Sequence, residues 1–164
     1  MKIERLDRNQ LRRVSELIYP VWMKTYSDKC TNGPAAAQAC FDVYITPDAL
    51  GTNKVDGGVQ FHMVVEDGVD LAVVGTRVCP DGRLDLDKLY VADGMQGRGI
   101  GSFAMRFAMD LGRENGCTSI FTHANRLNVS AIRFYERFGL RETEVVHCEH
   151  DGAIYDYSTL EGPL

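Results

Sequence analysis

"LYVADGMQGRGIGSFAMRFAMD", residues 89–110, sets Gly94, Gly97, Gly99 and Gly101 across the mouth of what otherwise reads as a good helix. A glycine inside a helix costs roughly 1 kcal/mol relative to alanine, so their presence needs a reason. Ile100, Phe103, Ala104, Phe107, Ala108 and Leu111 recur at helical spacing and define one apolar face. The helix therefore starts near Gly99, with Gln96–Gly99 as its entry loop. Backbone N–H groups in a first helical turn lack partners, and the helix dipole draws anions to them. Small residues let a phosphate reach those groups, and Arg98 adds a positive charge. The loop reads as a diphosphate cradle; the plain alternative is a glycine-rich turn that merely joins strand to helix.

Two other phosphate loops can be tested on the same residues. A Walker loop needs Lys-Ser or Lys-Thr after its last glycine, and Gly101 is followed by Ser102-Phe103, so that loop is excluded. Gly99-x-Gly101-x-x-Ala104 matches a relaxed dinucleotide pattern. The acidic residue expected ~20 positions on is missing, however, because residues 117–124 read CTSIFTHA. A nicotinamide-dinucleotide binder stays as a third reading.

Outward from the loop, FHMVVE, VDLAVVGTRVC and RLDLDKLYV are rich in β-branched and apolar residues. Asp67-Gly68 and Pro80-Asp81-Gly82 separate them, which predicts a three-strand antiparallel meander. The strand LDLDKLYV reaches TSIFTHA through a long helix, so those two strands are expected to be parallel neighbours. A third Asp-Gly, at 151–152, predicts a final hairpin between TEVVHCEH and AIYDYSTL. Upstream, MKIERL suggests a short strand. Leu11, Val14, Leu17, Ile18 and Val21 predict a helix from about Asp7 into the early twenties, kinked or ended by Pro20. Asn32-Gly33-Pro34 predicts a turn and helix start, Thr46-Pro47 a capped helix start with Gly51 as its stop, and GTNKVDGG a polar loop. The fold class is α/β, a mixed sheet in which an antiparallel meander joins a parallel pair.

The 164 residues predict a single domain, 1–164, able to bury ~70% of the surface its unfolded chain exposes. No apolar run approaches the ~18 residues of a membrane span. MKIERLDRNQLRR has no apolar core of a signal peptide, so a cytoplasmic protein with no membrane partner is expected. Cys30, Cys40, Cys79, Cys117 and Cys148 are odd in number and without C-x-x-C, which suggests reduced thiols. A net charge of −5 argues against a nucleic-acid partner. His147-x-x-His150 lacks a coherent ligand face, and no metal is expected.

Gln96-Gly97-Arg98-Gly99-Ile100-Gly101, after the strand Leu89-Tyr90-Val91, fits Q/R-x-x-G-x-G/A. NRLNVSAIRFYERFGL, residues 125–140, fits N-x-x-A-x-x-F-Y-x-x-x-G-F with Leu140 in place of the last aromatic. Both motifs, at this separation, resemble those of the GNAT superfamily of acyl-CoA-dependent N-acetyltransferases, and the order of elements agrees over roughly residues 1–160. The resemblance implies a GNAT-like fold, with the parallel pair splayed apart and helices on both faces. It implies acetyl-CoA as cosubstrate, with the diphosphate on the amides of Gln96, Gly97, Arg98, Gly99, Ile100, Gly101 and Ser102. The pantetheine arm would lie along the backbone near Leu89, Tyr90 and Val91, as an added strand does. Asn128 would contact the cofactor arm, with Ala131 and Phe134 close by; a helix cap is the other role open to Asn128. A homodimer is compatible with the resemblance alone.

Acetyl transfer needs a neutral amine to attack and a proton for the departing thiolate, whose thiol pKa is ~8.5. Tyrosine, with a pKa of ~10, carries its proton at neutral pH. Tyr135 stands where the family's general acid lies; its alternative is a core aromatic beside Ile132 and Phe138. Asp85 and Asp87 share a strand face, and Asp87 is similar in position to an acidic residue that some members use to bind or deprotonate the amine. A solvent-facing or salt-bridged aspartate is the alternative, and His123, Glu66 and water are rival bases. Tyr19, Trp22, Tyr26 and Tyr44 are candidate walls for the acceptor, a small-molecule amine or a protein amino group. A non-catalytic acyl-CoA sensor or partner-binding module is the second reading.

Overall fold

A computed structural model describes residues 1–29, 33–150 and 153–164. Its strands are β1 (Lys2–Arg5), β2 (Gln60–Glu66), β3 (Val69–Val78), β4 (Arg83–Val91), β5 (Ser119–Asn125), β6 (Arg141–His150) and β7 (Ala153–Pro163). They form one mixed sheet in the order β1-β2-β3-β4-β5-β7-β6. The helices are α1 (Leu11–Tyr26), α2 (Gly33–Tyr44), α3 (Pro47–Leu50), α4 (Ile100–Glu114) and α5 (Val129–Arg137). The chain divides into two compact units, Met1–Arg77 with Lys88–Ala108, and Val78–Asp87 with Met109–Leu164, so β4 and α4 contribute to both.

In the first unit, β1 pairs antiparallel with β2, and β2 with β3. Asp67 and Gly68 both take positive φ, 51° and 77°, as a tight hairpin turn requires. Leu11, Val14, Leu17 and Ile18 of α1 and Phe41 of α2 pack with Phe61, Met63 and Val65 of β2 and Val73 of β3. Each such side chain contributes ~1.5–3 kcal/mol when fully buried. That burial explains why Pro20 does not end α1, which runs on to Tyr26. Pro20 is exposed, and the helix is anchored before it by Ile18 and after it by the partly buried Trp22.

Gly51 is not a stop either. Its φ is −60°, an ordinary helical value, and residues 51–55 continue as a wide π-helical turn instead of a polar loop. A Cβ there would lie 3.0 Å from the Arg8 guanidinium, an exposed side-chain end that would have to shift for a larger residue, and the position does not call on glycine's backbone freedom. The Thr46 hydroxyl caps α3 as expected, accepting from the Ala49 N–H at 3.4 Å.

On the opposite face of the same unit, His62 sits edge-on to Phe107 of α4, ring centroids 4.9 Å apart. It is buried, and among the described residues its Nδ1 has no hydrogen-bond partner. Burial, with a smaller effect from Arg5, holds its pKa below the ordinary 6.5. Below that ordinary value the unfolded chain binds the proton that folded His62 resists, so stability is lost as pH falls through the folded pKa. Denaturant melts between about pH 8 and about pH 5 are expected to show a steeper acid loss for the wild type than for His62→Leu. Equal slopes would remove His62 as the cause.

In the second unit, β4 runs parallel to β5 for three residue pairs, Arg83–Ser119, Leu84–Ile120 and Asp85–Phe121. β5 continues into antiparallel pairing with β7, and β7 with β6. The Asp151-Gly152 turn expected between β6 and β7 lies outside the described residues, as does Asn32 of the expected helix start. Leu84, Leu86, Ile120, Leu140 and Leu160 are fully buried. Arg83 stacks on Phe121 at 4.6 Å and bonds to Asp81 and Glu161.

The buried stripe of α4 is rotated from the one the sequence suggests. Ile100, Ala104, Met105 and Ala108 are buried and so is Gly112, whereas Phe103, Phe107 and Leu111 are half-exposed. Gly112 explains part of this shift. A Cβ there would stand 2.5 Å from Leu164 Cδ1 and 3.2 Å from Leu84 Cδ2, so the helix turns its smallest residue toward those leucines.

Candidate functional site

The mouth of α4 belongs to the first unit. The first helical hydrogen bond runs from the Phe103 N–H to the Gly99 carbonyl at 2.9 Å. The N–H groups of Ile100, Gly101 and Ser102 precede it and so have no carbonyl one turn back. Gly94, Gly97 and Gly99 have φ of 75°, 79° and 80°, and a Cβ built on any of them meets nothing within 4 Å. The glycines therefore answer a conformational need and leave open space over the helix end. Gln96, Gly97, Arg98 and Gly99 are exposed, while the Ile100 side chain is buried beneath them. The Arg98 guanidinium lies 2.9 Å from Met95 Sδ.

Side chains brace the approach to this mouth. Gln96 donates through Nε2 to the Val91 carbonyl at 3.1 Å, closing the loop between strand and helix. The Ala92 N–H donates to the Leu71 carbonyl at 2.9 Å. Lys24 bonds Asp93 at 2.8 Å and holds that carboxyl below its ordinary pKa. Tyr90 packs against the first unit's apolar core, and Leu89 and Val91 are half-buried.

Asp87, Asn128, Ala131, Phe134 and Tyr135 belong to the second unit. Asn128 caps α5: its Oδ1 accepts from the Ala131 N–H at 3.3 Å and from the Ser130 hydroxyl at 2.9 Å. Phe134 lies edge-on to Tyr135 at 5.3 Å. Tyr135 is 7% exposed. Burial pushes its phenol up to about 12, opposed by the hydroxyl of Thr122 beside it. The group therefore holds its proton across the physiological range. Thr122 escapes sequence reading because a threonine inside a strand is ordinary.

Leu84, Asp85 and Leu86 are all buried and Asp87 is half-buried, so both faces of this part of β4 are covered. Of the rival bases, Glu66 is bonded to the N-terminal ammonium at 2.9 Å. The exposed His123 meets the Thr159 hydroxyl through Nδ1 at 3.1 Å. His147 bonds through Nδ1 to Asp156 at 2.6 Å.

The N-terminal aromatics bind α1 to α2. Trp22 donates to the Ala37 carbonyl and Tyr19 to Gln38 Oε1, each at 2.8 Å. Tyr26 lies against Trp22, and Phe41 against Tyr19. Tyr44 is exposed. Cys40, Cys79 and Cys117 are not in disulfides. Among the described residues no helix is long and apolar enough to cross a membrane.

Residues 19–140 match the model of the acetyltransferase (GNAT) family. Streptothricin acetyltransferase of Streptomyces lavendulae is 35% identical over 128 residues, a stretch that is 73% of this chain and 65% of that protein. The chain thus spans slightly under two thirds of that relative's length. Among solved structures, a GCN5-related N-acetyltransferase from Rhodopseudomonas palustris superposes with a TM-score of 0.79 at 13% identity, covering 99% of this chain and 95% of the other. PaiA N-acetyltransferase from Thermoplasma acidophilum, in complex with coenzyme A, superposes with a TM-score of 0.78 at 16% identity, covering all of both chains. At such identities the likeness is one of fold.

Proposed function

Because this chain belongs to the GNAT acetyltransferase family, we propose that it transfers an acetyl group from acetyl-CoA to a primary amine by direct attack in a ternary complex. The observation that carries the reading is the α4 mouth, where exposed glycines at positive φ leave open space over the N–H groups of the first turn. That is the form a diphosphate needs. In this reading the amides from Gln96 to Ser102 bind the diphosphate and Arg98 adds charge. The main chain at Leu89, Tyr90 and Val91 orients the pantetheine arm. Asn128 bonds to that arm while retaining its capping role, with Ala131 and Phe134 alongside. Bound acetyl-CoA supplies the activated acyl group.

Tyr135 holds the proton that the departing thiolate takes up, and Asp87 accepts the one the amine sheds, directly or through water. The acceptor is a small-molecule amine or a protein amino group. The name of the Streptomyces relative makes streptothricin the first small molecule to try. The purified protein is expected to release free thiol from acetyl-CoA in the presence of one member of a panel of streptothricin, polyamines, amino acids, aminoglycosides and peptide N-termini. Tight coenzyme A binding with no release across the panel would favour the non-catalytic module. Failure to bind coenzyme A by calorimetry would end the reading.

A further inference from the structure

We infer that the Thr122 hydroxyl is a side-chain rung that closes the β4–β5 ladder and so spares the His123 N–H for a carbonyl oxygen of the acyl-CoA arm. Thr122 is then a positioning residue, and His123 binds through its main chain. This rests on the acyl-CoA binding proposed above. The last pair of the parallel ladder is Asp85–Phe121. One step on, the Thr122 Oγ1 donates to the Leu86 carbonyl at 2.8 Å. The hydroxyl is the donor, since a carbonyl can only accept.

The direction of that carbonyl shows what it would otherwise hold. Bonds in a parallel ladder are slanted, so a carbonyl turned toward the neighbouring strand meets the N–H one residue past its register partner. The register carried one pair on gives Leu86 Thr122 as its partner and the His123 N–H as its donor. Leu86 is fully buried and Thr122 is 3% exposed, and a buried carbonyl left unpaired is costly. With main chain alone, the ladder would have to run on to His123. The threonine proton meets the need instead.

The other side of β5 gives the same facing. The Arg126 N–H donates to the Asp156 carbonyl at 2.9 Å, which carries on the register His123–Thr159, Ala124–Ser158 and Asn125–Tyr157. Bonded and non-bonded pairs alternate along an antiparallel ladder. Thr122 and Ala124 therefore turn their main-chain groups to β7, and His123 turns its own away. Side chains stand closer in a non-bonded pair, and there the Thr159 hydroxyl meets the His123 Nδ1 at 3.1 Å. The His123 N–H thus faces the β4 side just past the end of the ladder. An extended ligand that carries carbonyl groups can pair with such a donor as an added strand does.

Thr122→Val keeps the side chain's shape and removes the hydroxyl, while Thr122→Ser keeps the hydroxyl. In protein labelled with nitrogen-15 histidine, the His123 amide is assigned by its loss in His123→Gln, and its hydrogen exchange reports whether the N–H is held. In the free protein Thr122→Val is expected to slow that exchange at least about tenfold, because the Leu86 carbonyl recruits the amide. A merely destabilised strand would exchange faster, so the sign separates the two. Calorimetry is expected to show the Kd for acetyl-CoA raised about three- to tenfold, the effect of one hydrogen bond. Thr122→Ser is expected to match the wild type in both. A loss shared by coenzyme A assigns the acceptor to a pantetheine amide, and a loss confined to acetyl-CoA assigns it to the thioester.

Exchange that is unchanged or faster in Thr122→Val overturns the inference, whether or not the protein binds acyl-CoA. Unaltered affinity for both ligands also overturns it. Should the valine variant fail to fold, the wild type still decides: acetyl-CoA is expected to slow exchange at His123, and no slowing overturns the donor role. A wild type that binds neither ligand overturns the acyl-CoA reading and the donor role with it, while exchange in Thr122→Val still decides the rung.

Discussion

Gly99→Val is expected to raise the dissociation constant for coenzyme A at least about tenfold, with a smaller effect on turnover at saturating acetyl-CoA. Two causes act together. Gly99 sits at φ +80°, where a residue with a Cβ is strained by roughly 1–2 kcal/mol and a β-branched one by more. Its carbonyl also accepts the first helical hydrogen bond, from Phe103, so relief of the strain displaces the helix mouth itself. The isopropyl group would stand in the open space that a phosphate needs to reach the first-turn amides. Gly82 supplies the control, since its φ is +79° and a Cβ there also meets nothing within 4 Å, but it lies in the turn before β4. Gly82→Val is expected to lower the melting temperature while coenzyme A still binds. Isothermal titration of the two variants separates strain from lost recognition. Equal affinities would mean that the cradle is only a turn.

The contrast between Gly99, Gly51 and Gly112 shows which parts of this molecule can be read from the chain. Gly99 was legible because neighbouring glycines broke a helical apolar pattern at its start, a local signal. Gly51 looks like a helix stop by the same local rule, yet it takes an ordinary helical φ and the chain coils on through it. Gly112 carries no local signal, since Leu84 and Leu164 set its size from far along the chain. Strands behaved like Gly99. Asp67-Gly68 fixed a hairpin through its own backbone angles, and the parallel pairing of β4 with β5 followed from the helix that must join them. Pro20 went the other way, overruled by the burial of Ile18 and Trp22 on either side.

The candidate site divides along the same line. Its glycines, Asn128 and Tyr135 stand in motifs that can be read in order along the chain. Thr122, whose hydroxyl opposes the rise in the Tyr135 pKa, cannot be found that way, because it lies on β5 while the phenol comes from α5.

Tyr135→Phe is expected to lower turnover at least about tenfold while acetyl-CoA binding changes little, the loss falling at or below the ~10²–10⁴ typical of positioned acid–base groups. The substitution removes one oxygen from a side chain that is 7% exposed and lies edge-on to Phe134, so the packing of α5 survives. Burial also gives the pH test its sign. A phenol pushed up to about 12 stays protonated through neutral pH, so its own ionisation cannot shut activity down on the alkaline side below that value. Any alkaline loss near pH ~8–10 would then have to come from another group. A rise in rate toward neutral pH would instead report the amine losing its proton before attack. For Tyr135→Phe the same rise is expected at a lower plateau, because the amine still deprotonates but the thiolate leaves without a donor. Leaving groups of lower thiol pKa should suffer least from the substitution, since they need the proton least. Unaltered turnover in the phenylalanine variant, or an equal penalty for every thioester, would make Tyr135 a core aromatic and leave the proton to water.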